Sequence, residues 1–461
     1  MSAPKITELG TQSIRSLLMK YALPGIIAMT ASSLYNMVDS IFIGHGVGAM
    51  ALSGLTVAKP FMDICAAFGT LVGVGASSLV AIKLGEKDYR SANDVLANVI
   101  LLNVLLGALV MAVGLYWLDP ILYAFGASDV TIAYAREYME IILWGNILTH
   151  IYYGLNSMLR SIGHPKIAMY ATILAVVVNI ILDPIFIFVL DMGVRGAALA
   201  TMISQLVSVI IELVIFLNPK EVIYFHRGIW RLKRDITMRA LGIGTAPFLM
   251  HMASCFVVLL INNQLRRYGD QMGEGVGDLA IGAYGIVNRI IFFFVMVVLG
   301  FTQGMQPIAG YNYGAGKFDR VLKVFWQTVG WATLCTTLAF LVGVFAPKFV
   351  VSLFANEPTM IDIAAKGFTI AVAMFPFVGI GMVASNFFQS IGKPRRAIAL
   401  SVTRQVIFLV PLLIFMPRFF GIEGVWYCMP IADVASAILA AVLLVIQVRK
   451  LRQNPDSERA I

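Results

Sequence analysis

Apolar residues in this chain fill whole segments rather than one face of a period, and each segment closes on a short polar loop. Leu101–Val113 with its flanks, Ile167–Leu190 and Val425–Val448 approach or exceed the roughly 20 residues that carry a helix across a bilayer. The pattern predicts twelve helices, near 16–44, 52–82, 94–118, 131–159, 167–190, 194–217, 240–265, 279–312, 321–346, 362–390, 396–416 and 422–448. Basic residues gather in the even-numbered loops: Lys83, Lys87 and Arg90; Arg160 and Lys166; Lys220 to Arg239; Lys317, Arg320 and Lys323; Lys393, Arg395 and Arg396. Both terminal segments are basic too, whereas the odd loops are poor in Lys and Arg and hold Asp119, Asp129, Asp191, Glu274 and Asp278. Positive charge stays on the cytoplasmic side, so both termini are expected there. The first 15 residues hold no apolar run ending in a small-residue cleavage site, and no removable signal peptide is expected.

The chain also repeats itself. Ser161-Ile162-Gly163-His164-Pro165-Lys166 matches Ser390-Ile391-Gly392-Lys393-Pro394-Arg395 at an offset of 229, and Ala51–Leu55 meets Ala280–Tyr284 at the same offset. Gly75, Gly85 and Tyr89 pair with Gly304, Gly314 and Phe318 on that diagonal; Gly193 and Gly196 pair with Gly421 and Gly424 one residue out of step. Several blocks on one diagonal indicate duplication. Six helices separate the copies, and an even number preserves orientation, so the copies are parallel repeats with a site between them. The expected fold is an all-α polytopic membrane protein, twelve transmembrane helices in two six-helix lobes related by pseudo-twofold symmetry. Residues 1–218 form the first lobe, 219–239 a cytoplasmic linker and 240–461 the second.

Composition narrows the class. Apolar residues make up 59 % of the 461 and charged ones only 13 %, about half the usual charge of a soluble chain. Cys65, Cys255, Cys335 and Cys428 lie singly in apolar stretches, which suggests neither disulfides nor a zinc site. The net charge of +9 sits in the loops and serves topology rather than nucleic-acid binding. There is no Walker motif, metal-ligand cluster or repeated pore filter, which argues against a membrane enzyme or channel. A carrier remains.

Carboxylates in hydrocarbon are costly and mark function by default. Asp39, near the outer end of the first helix, and Asp183, near that of the fifth, each lie on the order of 10 Å from the outer surface at 1.5 Å per residue. Tyr35 and Asn179 precede them by one turn on the same faces, and Thr201 reaches their level from the sixth helix. Asp183 maps near Leu412 in the second half, Asn179 near Phe408 and Asp39 near Asn263, so the acids are confined to the first lobe. A buried network that only fixes helix packing is the alternative. Lys59 and Asp63 are spaced as a helical ion pair. Asn36, Asn156, Gln303 and Arg289 are candidate linings of a substrate cavity, as are Asn288, Gln306, Arg404 and Gln405. Asp433 and His251 read as packing groups, and Pro24-Gly25 as a hinge in the first helix.

The run Tyr35–Gly44, the loop Ser161–Lys166 and Asn179–Pro184 resemble the multidrug and toxic compound extrusion (MATE) family, in its DinF-like branch, over essentially the whole chain. The resemblance implies a V-shaped pair of lobes exporting lipophilic, often cationic, compounds in exchange for protons or sodium, with no other cofactor. It carries cation coupling onto Tyr35, Asp39, Asn179, Asp183 and Thr201, with sodium as a possible ligand of Asp39, Asn179, Asp183 and Thr201. The NorM-like branch keeps an acidic cation site in the second lobe; here the seventh helix offers His251, Asn262 and Asn263, and the tenth no acid at that depth. The expected setting is a bacterial or archaeal inner membrane and the expected state a monomer. A flippase for a lipid-linked sugar is the rival, and it would need a strongly basic cavity. Single cysteines in a cysteine-free background should be labelled from the cytoplasm in loops 218–238 and 393–396 and from outside in 269–276; the reverse accessibility would invert the topology.

Overall fold

A computed structural model describes residues 3–226, 232–273, 276–354 and 357–453. In hydrocarbon each backbone N–H and C=O must find its partner within the chain, and helices achieve this locally. After a short α1 (Ala3–Thr11) come α2 (Ile14–Gly46), α3 (Ala49–Gly85), α4 (Tyr89–Tyr116), α5 (Leu118–Ala124), α6 (Ile132–Trp144), α7 (Asn146–Ser161) and α8 (Pro165–Pro184). A π-helical turn, Ile185–Val189, extends α8, and α9 (Gly193–Phe216) completes the first unit. The second contains α10 (Arg234–Gly269), α11 (Val276–Gly314), α12 (Phe318–Phe345), α13 (Pro347–Ser352), α14 (Pro358–Ala371), α15 (Phe375–Ser390), α16 (Pro394–Val402), a π segment Thr403–Leu409, and α17 (Val410–Gln453).

Among the described residues, nine helices are long and apolar enough to cross a membrane, ten with the pair α14–α15, bent by 59°. Two more spans complete the twelve. The run Pro394–Leu451 supplies two because it breaks at Gly421 (φ 57°, ψ −137°) and α17 packs back on the π segment that precedes it. The helices α6 and α7, separated at Gly145, make the other. Helix α10 starts at Arg234 rather than near residue 240, so residues 234–239 of the expected linker are helical.

The duplication is visible turn by turn. Helices α4 and α12 both have 28 residues, and the short α5 and α13 follow each at the same offset. The repeated Ser-Ile-Gly-x-Pro loop is a helix stop followed by a start. Gly163 and Gly392 adopt positive φ (95° and 69°), as a left-handed helix cap favours. Pro165 and Pro394 then open α8 and α16 at a position needing no backbone donor.

The lobes meet at the end that carries the basic loops. One apolar core there joins Leu17, Val72, Val80 and Leu159 to Ala240, Val298, Met305 and Phe387. Toward the opposite end it divides into a first-lobe core around Ile43, Tyr138 and Met202 and a second-lobe core around Ile261, Phe368 and Trp426. The spans thus form a V closed at the basic end. The closure is backbone on backbone: a Cβ on Gly85 would lie 2.0 Å from the Tyr311 carbonyl oxygen, and one on Gly314 2.0 Å from that of Ile82. These two contacts exchange under the 229 offset, so the pseudo-twofold axis runs between α3 and α11. Gln306 sits beside that axis and donates to Ser77 Oγ (2.9 Å) and Ser78 Oγ (2.7 Å). Helix α1 is tied to the second lobe by Asn312 Nδ2 donating to the Leu9 carbonyl (2.9 Å) and Arg320 Nη2 to that of Gln12 (2.6 Å).

Gly85→Ala and Gly314→Ala should each destabilise the closed form by about 1–3 kcal/mol, the usual cost of overpacking. The check is a lowered melting temperature together with faster labelling of a cysteine placed at Val80; unchanged values for both variants would contradict the closure.

Candidate functional site

Helix α2 brings Asp39 and Tyr35 into the first lobe against α8, which carries Asn179 and Asp183, and α9, which carries Thr201. All three helices are predominantly apolar, and packing them against one another encloses these polar residues. Asp183 and Asn179 are 0 % and 1 % exposed, Asp39 and Thr201 6 %. The Tyr35 hydroxyl lies 3.1 Å from Thr201 Oγ1. With its amide oriented to satisfy both ends, Asn179 donates to Asp183 Oδ2 at 2.9 Å and accepts from the Thr201 backbone N–H at 3.2 Å. Asp39 and Asp183 lie beside each other, near enough for their carboxyls to interact, and Asp39 Oδ1 has no hydrogen-bond partner. Two buried carboxylates side by side repel when both are ionised, so the pair favours a proton on one of them or a cation between them. The oxygens of Asp39, Asp183, Asn179 and Thr201 are a hard donor set suited to sodium as well.

All five residues proposed for coupling are therefore in one cluster. Tyr138 of α6 adjoins the cluster, interacting with Asp39, Tyr35, Thr201 and Asp183. Sequence reading misses it because a tyrosine in an apolar helix reads as packing, and only the fold aims its hydroxyl. It misses Glu212 too, which is 0 % exposed on α9. This carboxylate lies near the helix end, where a long side chain ordinarily snorkels out.

Other candidates fall elsewhere. Asn156 does not line open space: it is buried, donating to Glu212 Oε1 (2.9 Å) and the Ala168 carbonyl (3.1 Å) and accepting from Arg160 (2.6 Å). Gln303 lies in the seam between α2 and α11, its amide 3.7 Å from Met29 Sδ. Arg289 and Asn288 are exposed on α11, and the side chain of Asn36 lies outside the described residues. Helix α2 runs through Pro24 without interruption, and Gly25 packs on Gly300 of α11, where a Cβ would lie 3.1 Å from its carbonyl oxygen. Lys59 and Asp63 form the ion pair their spacing suggests, half exposed at 51 % and 43 %. In the second lobe Asp433 is buried against Arg404, whose Nε and Nη2 reach its Oδ1 at 2.8 and 2.7 Å, while Gln405 donates to Ser254 Oγ at 3.2 Å.

The MatE family pattern matches residues 24–185 and 272–414, one copy in each half. This chain belongs to the MatE family of membrane transporters. It is 28 % identical over 435 residues to the multidrug export protein MepA of Staphylococcus aureus (strain NCTC 8325 / PS 47), covering 94 % of this chain and 93 % of MepA. The Staphylococcus saprophyticus MepA is 27 % identical over the same length and shares. Among solved structures, a ligand complex of the MATE multidrug transporter DinF-BH superposes with a TM-score of 0.88 at 35 % identity, over 96 % of this chain and 97 % of that one. An outward-facing MATE family transporter of the MOP superfamily shares the fold, with a TM-score of 0.89 at 23 % identity over 97 % and 99 % of the two chains. As a MatE member the chain is a transporter rather than an enzyme.

The site's internal bonds are testable without transport. Tyr35→Phe removes one hydroxyl from a buried network and should cost about 1 kcal/mol, read as a lower melting temperature. A gain in stability would mean that Tyr35 and Thr201 are not bonded.

Proposed function

We propose that this transporter is a secondary active multidrug antiporter, exporting lipophilic and cationic compounds in exchange for protons or sodium bound at Asp39 and Asp183. The observation that carries this reading is the juxtaposition of two buried carboxyls, Asp39 and Asp183, which among the described residues has no counterpart in the second lobe. A charge-changing site at membrane depth is what couples a carrier to an ion gradient. Membership of a family whose members include MepA and DinF-BH supports the substrate class. The basic loops would face the cytoplasm, so the V is open outward and closed inward. Binding of the cation to the acid pair discharges it, allowing α2 to repack around Pro24-Gly25, shrink the first-lobe cavity and release substrate. Residues 1–218 and 240–461 act as the two lobes and the intervening stretch as their linker. The setting is the cytoplasmic membrane of a bacterium or archaeon, and one chain is the working unit.

A lipid-linked sugar flippase is disfavoured because two bases at membrane depth are neutralised: Lys59 pairs with Asp63 and Arg404 with Asp433. Dye efflux from proteoliposomes under separately imposed proton and sodium gradients tests the proposal. Asp39→Asn and Asp183→Asn should each abolish gradient-driven efflux in proteins of normal thermal stability, since a permanent amide cannot exchange charge between the two faces. Asp433→Asn should leave the gradient response intact. Wild-type efflux from a stable Asp39→Asn protein would remove the acid pair from coupling.

A further inference from the structure

The first lobe holds a further buried carboxylate, Glu212, that the reading above does not use. Glu212 lies on α9 one turn from its basic end, and Thr201, Ser204, Ser208 and Glu212 follow at spacings of three, four and four residues, so they share one helix face. All four are buried. The stripe begins in the Asp39–Asp183 cluster, where Thr201 meets Tyr35 through its hydroxyl and Asn179 through its backbone N–H, and ends about 16 Å away at 1.5 Å per residue. At its far end Asn156 donates to Glu212 Oε1 and accepts from Arg160 Nη1. Arg160 and Tyr152 are the ionisable groups that α7 brings near Glu212. Helix α8 presents Thr172, bonded to Asn156 and Tyr152, while its Lys166 and Tyr170 point away from the pocket. Glu212 Oε2 and Ser208 Oγ, one turn apart on the same face, interact with each other and make no hydrogen bond of ordinary geometry with any other group.

Buried polar atoms are rarely left so, and a pure packing role would favour an amide or an apolar residue. A hydroxyl suits both states of a carboxyl, donating to the ionised form and accepting from the protonated one. We infer that Glu212 is a second proton-binding site, through which protons released by the Asp39–Asp183 pair leave along the Thr201-Ser204-Ser208 face toward the basic end. One proton leaves the acid pair. Ser204 Oγ donates to the Thr201 carbonyl (2.8 Å), and successive positions on the face are about 5–6 Å apart, so water bridges them. Each hydroxyl and water takes one proton and gives one on, ending unchanged, and the Glu212 carboxylate becomes the neutral acid and then loses that proton to water. Arg160, held through Asn156, stabilises the ionised state and resets the site. The inference rests on the coupling reading above and sharpens it, because a hydroxyl stripe passes protons and not sodium ions.

The test uses the full chain in proteoliposomes with ethidium, a lipophilic cationic dye, as the transported probe. Measured in parallel are uptake driven by an imposed pH difference, ethidium counterflow without any gradient, and thermal stability. Glu212→Gln should slow the pH-driven flux about tenfold or more, within the range for losing a proton-transfer group, with counterflow and melting temperature at wild-type values. Glu212→Asp should recover much of the flux. Ser208→Ala, which deletes one hydroxyl, should slow pH-driven flux alone and carries the test if Glu212→Gln fails to fold. Wild-type pH-driven flux in Glu212→Gln or Ser208→Ala, an equal fall of counterflow and driven flux, or a wild-type protein driven by sodium alone would each overturn the relay. Asp39→Asn separates the two readings: inactive Asp39→Asn beside normal Glu212→Gln removes only the relay, whereas driven flux in Asp39→Asn removes the coupling reading itself.

Discussion

Two repeats of one unit have to touch somewhere, and here they touch where side chains are absent. At the Gly85–Tyr311 and Gly314–Ile82 crossings, backbone meets backbone at a distance no Cβ would allow. The same holds further along the seam, where a Cβ on Gly244 would lie 1.7 Å from the Leu71 carbonyl oxygen and one on Gly75 1.9 Å from that of Ala240. In lipid there is little hydrophobic drive between helices, so close packing of small residues and a few cross-helix hydrogen bonds supply the adhesion. Gln306 with Ser77 and Ser78 adds those bonds on the axis itself. Because the contact is confined to one end, the lobes diverge at the other, and the V follows.

That geometry decides where polar groups are tolerated. In the first lobe, Asp39, Asp183 and Glu212 are each enclosed by helices drawn from α2, α7, α8 and α9, with Asp183 bonded to the neutral Asn179 and Glu212 to the neutral Asn156. In the second lobe the comparable acid, Asp433, is bound to Arg404. An acid held by an arginine has its charge compensated in place, whereas an acid held by amides and hydroxyls can change charge without stranding a partner. The two lobes therefore share a backbone plan and differ in what their interiors can do. The basic end is further secured from outside the bilayer: Asn98 Oδ1 accepts from the Lys233 backbone N–H (3.0 Å) and Thr237 Oγ1 (3.1 Å), and Lys233 pairs with Asp94. The stretch before α10 is thus clasped to α4.

By itself the sequence determined the twelve spans, the basic and acidic ends and the duplication, because each rests on a period, a run length or a charge count that survives without knowledge of contacts. It also picked out Tyr35, Asp39, Asn179, Asp183 and Thr201 as a level in the membrane, since depth follows from residue number along a helix of fixed rise. Which residues meet at a given level is another matter. Rotation of each helix about its axis is set by packing against neighbours, and one turn holds three or four candidates. Asn156 is as deep in α7 as a cavity residue would be, yet its rotation aims it at Glu212. Tyr138 gives no signal in its own segment and becomes part of the acid cluster only because α6 packs on α9. The carboxyl of Glu212 could have reached the interface from its place near a helix end; the tertiary structure instead encloses it among α7, α8 and α9, because Asn156 and Thr172 offer a polar pocket there that no single helix contains.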